Sequence, residues 1–86
     1  MRFSVVWSLA ALQAVTGIEQ TADDPAIIRA AQDRIDYWLR RLARDLGESR
    51  APGFRLWYED VLGVFYRIDE DAMRVEVLFA GPARRH

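Results

Sequence analysis

The chain changes its hydrophobic period partway along, and the change separates a helical stretch from a strand-rich one. Phe3-Ser4-Val5-Val6-Trp7 is β-branched and aromatic and predicts a strand. Ser8 suits the N-cap of a helix carrying Leu9, Leu12 and Val15-Thr16 on one side, ended or bent at Gly17. Asp24 and Pro25 then form a start signal, a capping carboxylate before a residue with preset φ. From there Ile27, Ala31, Ile35, Trp38 with Leu39, Leu42 and Leu46 recur every three to four residues, which predicts a helix from about Asp24 to Leu46, stopped by Gly47. On its other side Arg29/Asp33, Asp36/Arg40 and Arg41/Asp45 stand four apart, the spacing of self-paired charges on a solvated face.

Beyond the loop Glu48 to Gly53 the period falls to two. Phe54 to Tyr58, Leu62 to Ile68 and Met73 to Phe79 read as strands. The connections Glu59-Asp60-Val61 and Asp69 to Ala72 are short enough to make an antiparallel meander. The tail from Gly81 to His86 is too short and breaker-rich to add an element. The expected fold is α+β in the order β-α-α-β-β-β, one domain over residues 1–86, with a helical hairpin on one face of an antiparallel sheet. The other sheet face is left open.

Alternation divides each strand between those faces. The more apolar set, Phe54, Leu56 and Tyr58 with Leu62, Val64, Tyr66 and Ile68, is the expected core side. The open face then carries Arg55, Trp57, Glu59, Phe65, Arg67, Arg74, Glu76 and Leu78. Arginines among aromatics suit base stacking and phosphate binding. The same pattern also suits cross-strand ion pairs such as Arg67 with Glu76, or an apolar protein-binding face.

Composition narrows these readings. Twelve basic residues, all arginine, stand against thirteen acidic ones, a net charge of −1 that lacks the basic excess of a general polyanion binder. There is no cysteine, and the single histidine is His86, so no disulfide, thiolate or histidine-pair metal site is expected, and no cofactor. The acidic run Asp69-Glu70-Asp71 belongs to a hairpin tip. Met1-Arg2 and the apolar run after it have the outline of a secretory signal, but Gln13 breaks the run and Ala14-Val15-Thr16 is a poor cleavage site. No segment approaches the roughly 20 apolar residues of a membrane span, and a cytoplasmic location is expected.

One stretch has a family likeness. Leu62-Gly63-Val64-Phe65-Tyr66-Arg67-Ile68-Asp69, followed by Val75-Glu76-Val77-Leu78, is similar to the last two strands of the RelE/ParE toxins. Ala30 to Asp36 and Leu46 to Arg50 resemble a subgroup of the same superfamily more loosely. The likeness implies a bacterial toxin held by a protein antitoxin whose flexible segment wraps it. RelE-type members cut messenger RNA on the ribosome without a metal, using basic residues on the open face and the C-terminal segment; ParE-type members inhibit DNA gyrase. Carried over, it makes Arg67, Arg84, His86 and Glu59 the catalytic candidates, and Arg55, Trp57, Phe65 and Arg74 the binding face. The chain departs from the nuclease pattern at Gly63, where the family has a strand arginine, and at Ala83, with Arg84 one step displaced. The expected function is therefore that of an antitoxin-bound toxin-superfamily protein with weak or lost nuclease activity. The alternatives are a metal-independent mRNA endoribonuclease, a ParE-like gyrase inhibitor or an orphan scaffold, with a homodimer left open.

Overall fold

Ser8 accepts a hydrogen bond from Ala11 N at 3.0 Å and its own hydroxyl donates to Leu78 O, so one residue both starts a helix and fastens it to the sheet. Asp24 caps the second helix in the same way, through Ala26 N at 3.0 Å. A computed structural model describes residues 2–83. Its elements are β1 (Ser4–Trp7), α1 (Leu9–Thr21), α2 (Pro25–Leu42), β2 (Glu48–Ala51), β3 (Phe54–Glu59), β4 (Leu62–Asp69) and β5 (Arg74–Pro82). The strands form one sheet in the order β1-β5-β4-β3-β2.

The α+β architecture matches the sequence reading, with three refinements. Glu48–Ala51, read as loop, is an edge strand whose side chains are all exposed. β5 runs on through Gly81 and Pro82, past the breakers expected to end it. The meander β2-β3-β4-β5 is antiparallel, but β1 joins β5 in parallel, so the sheet is mixed.

The core lies between α1, α2 and one sheet face. Ala11 and Val15 from α1 and Ile28, Ala31, Ile35 and Leu39 from α2 meet Leu62, Val64, Tyr66, Val75 and Val77. The expected apolar stripes are buried only in part: Val15, Ala31, Ile35 and Leu39 are buried as expected, joined by Ala11 and Ile28. Leu9, Leu12, Ile27, Trp38 and Leu42 are exposed, because small residues such as Ala11 and Ala31 take the close-packed positions against the sheet. α1 also continues through Gly17 to Thr21. Of the expected charge pairs on α2, Asp36–Arg40 forms at 2.8 Å. Arg29 turns instead to Glu19 on α1, and Arg41 lies over the Tyr37 ring. Trp7 Nε1 donates to Asp36 at 3.1 Å, tying β1 to α2. Among the described residues no helix is long and apolar enough to cross a membrane.

Candidate functional site on the open sheet face

Directly paired residues of antiparallel strands project to the same face. β3 and β4 pair Arg55 with Tyr66, Trp57 with Val64 and Glu59 with Leu62. Tyr66, Val64 and Leu62 are wholly buried beneath the helices. Arg55, Trp57 and Glu59 therefore face the helices, and Phe54, Leu56 and Tyr58 face the open side. This reverses the assignment of β3 made from hydropathy.

The polar members of the helix-facing set are satisfied by α2 and the segment that follows it. Arg55 donates to Leu46 O at 2.7 Å and Gly47 O at 3.2 Å, closing off carbonyls beyond the C-terminus of α2. The buried Tyr66 hydroxyl donates to Ala43 O and Leu46 O in the same segment, at 2.8 and 3.1 Å. Burial pushes its phenol up to about 12, against a smaller opposing pull from Arg55. Glu59 accepts from Arg34 of α2 at 2.9 Å, and Trp57 packs against the core. Arg55 and Trp57 thus face the helices rather than the open side, and Glu59 stands on the opposite face from Arg67.

The open face is a set of cross-strand rows. The first is Tyr58, Gly63 and Gly81; the second is Leu56, Phe65 and Phe79. The third is Phe54, Arg67 and Glu76, and beyond it Asp69 pairs with Arg74. Between Phe79 and Val77 the register slips by one residue, a β-bulge at Leu78. The bulge puts Phe79 on the open face where alternation had put Leu78.

Among the described residues, charge on this face stands at one end and is paired there. Arg67 reaches Glu76 at 3.2 Å, the cross-strand pair expected from the sequence, and Arg74 lies 4.0 Å from Asp69. Both pairs are partly exposed and each adds no more than about 1 kcal/mol to stability. At the hairpin tip Arg44 donates twice to Glu70, and these hydrogen bonds hold the Glu70 carboxyl below its ordinary range.

The other end of the face is apolar. Phe54 and Phe65 stack with centroids 5.8 Å apart and an interplanar angle of 15°. Next to them Leu56, Tyr58, Phe65, Phe79 and Pro82 surround Gly63 and Gly81 in an open cleft of about 170 Å³. The Tyr58 ring lies over Gly63, where a Cβ would stand 2.6 Å from two ring carbons. Of the sequence-derived site, Arg67, Phe65 and Arg74 lie on the open face. Arg84 and His86 fall outside the described residues. Phe54, Leu56, Tyr58, Phe79 and Gly81 were missed as open-face residues. Among the described residues no three His, Asp or Glu side chains gather as metal ligands would.

No family model matches the sequence, and no curated protein does either. Solved structures do match. A chain of the RelBE2 toxin–antitoxin complex from Mycobacterium tuberculosis superposes with a TM-score of 0.79 at 19% identity, covering 96% of this chain and 100% of that one. The chromosomal ParDE toxin–antitoxin system of P. aeruginosa gives 0.69 at 18% identity, covering 95% and 97%. The isolated RelE toxin of E. coli gives 0.66 at 13%, covering 100% and 88%. With all three superposing on 95% or more of its length, this chain has the RelE/ParE toxin fold.

Proposed function

We propose that this chain is a toxin-superfamily protein of a type II toxin–antitoxin system, acting in the cytoplasm, and that its principal activity is to bind a protein antitoxin. Nuclease activity is weak or lost. The observation that carries this reading is the composition of the open face among the described residues: Arg67 and Arg74 are paired with carboxylates, and the space around Gly63 is walled with apolar side chains. Phosphoryl chemistry on RNA needs fixed donors aimed at developing negative charge, and losing one such donor typically costs about 3–4 kcal/mol of transition-state stabilisation. Arg67 would first have to leave Glu76. The two-component assemblies named for the M. tuberculosis and P. aeruginosa structures favour a protein partner for this chain as well.

The experiment is induction of the protein in a bacterium without its partner, following growth and mapping transcript ends for wild type beside Arg67→Ala and Arg84→Ala. Little or no growth arrest is expected. Codon-positioned cuts that either substitution abolishes would establish the alternative, a metal-independent ribonuclease. Arrest without cleavage would instead indicate a ParE-like target such as gyrase. Co-expression with the product of the adjacent small reading frame is expected to yield a stable complex.

A further inference from the structure

We propose that the cleft over Gly63 and Gly81 is a receptor for one large, uncharged apolar side chain of the partner protein, with the Tyr58 ring as its movable wall. This deepens the reading of the open face as a protein-binding surface and rests on it.

Size is the first argument. The cleft measures about 170 Å³. A cavity of about 150 Å³ lined by Leu, Ile and Phe accepts a benzene ring. One phenylalanine ring or one branched aliphatic chain therefore matches the space.

Chemistry is the second. Leu56, Phe65, Phe79 and Pro82 supply carbon, the glycines supply backbone, and among the described residues no charged side chain lines the cleft. The charged rows on the same face, Arg67 with Glu76 and Arg74 with Asp69, are paired cation to carboxylate. A phosphate or carboxylate entering the cleft would lose water without gaining a counter-charge, and so would a guanidinium. Only a neutral occupant escapes that penalty.

The wall is the third. Gly63 and Gly81 pair directly across β4 and β5, so two neighbouring open-face positions lack side chains and leave the depression. Tyr58 covers one of them while remaining 58% exposed. Its hydroxyl makes no hydrogen bond among the described residues, so nothing polar resists rotation of the ring. A second copy of this chain fits poorly as occupant. Pairing open face to open face would set cleft against cleft, and Tyr58 and Phe79 are already the rim of each.

The test uses ¹⁵N-labelled full-length protein titrated with N-acetyl-leucinamide, N-acetyl-phenylalaninamide, N-acetyl-argininamide or uridine monophosphate. The two apolar amides are expected to shift the backbone resonances of Gly63, Phe65, Phe79 and Gly81, with dissociation constants on the order of millimolar for molecules this small. The arginine amide and the nucleotide should leave those resonances in place. Gly81→Leu fills the cleft from its floor. A Cβ there meets only the Phe79 ring, at 3.9 Å, so the variant should fold and bind the apolar amides at least about tenfold more weakly. Phe79→Ala, which removes an exposed wall, should weaken binding in the same direction.

Absence of these shifts, shifts elsewhere on the surface, or unchanged binding by Gly81→Leu would overturn the assignment. So would a homodimer that Gly81→Leu dissociates. Nucleotide binding in the cleft would overturn both this inference and the proposed function. If the induction assay reveals an efficient ribonuclease while the apolar amides still bind, the proposed function fails and the cleft stands. If the antitoxin complex forms and the amides do not bind, the cleft falls alone.

Discussion

Replacing Tyr66 with phenylalanine keeps the ring in the core and removes one hydroxyl. That hydroxyl is shared between Ala43 O at 2.8 Å and Leu46 O at 3.1 Å. Leu46 O keeps its bond from Arg55, but the Ala43 carbonyl loses this donor beside a residue that is wholly buried. An unsatisfied buried acceptor costs about 1–3 kcal/mol. For a domain of this size, a central loss of about 2 kcal/mol lowers Tm by roughly 8–16 °C. The alkaline behaviour supplies a second, independent readout. In the folded protein burial raises the phenol from its ordinary 10.0 to about 12, so between those values the unfolded chain releases a proton that the native one retains. The unfolded state then binds fewer protons, and stability falls as pH rises. The contribution is complete below pH 10 and is lost by about pH 12, at most about 2.7 kcal/mol for a shift of two units. Tyr66→Phe has no such group. Urea unfolding followed by tryptophan fluorescence should therefore show wild type more stable at neutral pH, with the gap narrowing through the alkaline range. Equal midpoints at neutral pH, or a gap that stays constant up to about pH 12, would refute the account of this hydroxyl as a buried neutral donor.

Two further outcomes are expected. Gly47 has φ +64, and a Cβ there would collide with the Leu56 carbonyl and with Trp57 Cβ, so Gly47→Ala should cost at least about 1–3 kcal/mol by thermal melting. The Glu70 carboxyl should titrate below 4.5 by NMR and move back upward in Arg44→Ala; because its folded pKa is depressed, its small stabilising effect is present at neutral pH and lost as pH falls through the carboxylate range.

The long helix was legible because its signals agree: Asp24 caps it, Pro25 opens it, and apolar residues repeat at its period. The strand pair β4–β5 was legible because both segments are rich in β-branched and aromatic residues, and Val75 and Val77 alternate with Arg74 and Glu76. β2 was not. Its four exposed residues carry no alternation, and it is a strand only because the backbone of β3 offers it partners. The extension of β5 was hidden by Gly81-Pro82. Beyond Val77 that strand has outrun β1, so one side of its backbone is unpaired by β1, and a proline there forfeits no bond to it.

The face of β3 was assigned from hydropathy, and a turn read one residue too long agreed with that assignment. Treating Glu59-Asp60-Val61 as the connection sets Tyr58 opposite Leu62 and sends Phe54, Leu56 and Tyr58 into the core, a choice that their hydropathy endorses. The actual turn is Asp60-Val61, with Asp60 at φ 53 and Glu59 opposite Leu62. Because side chains alternate with a period of two, this slip of one residue exchanges the two faces of the whole strand. Hydropathy alone could not see that Arg55 and Glu59 would find partners at Leu46, Gly47 and Arg34, which makes the helix side tolerable for charge at its rim. Propensity was adequate for locating the strand; register decided what the strand presents. The functional consequence is large for so small a change. With Arg55 and Glu59 on the open face the site reads as arginine among aromatics, a surface for phosphate and bases. With Leu56 and Tyr58 there instead, beside Phe65, Phe79 and two facing glycines, the described lining is neutral and apolar, and that lining is what the proposed protein-binding reading rests on.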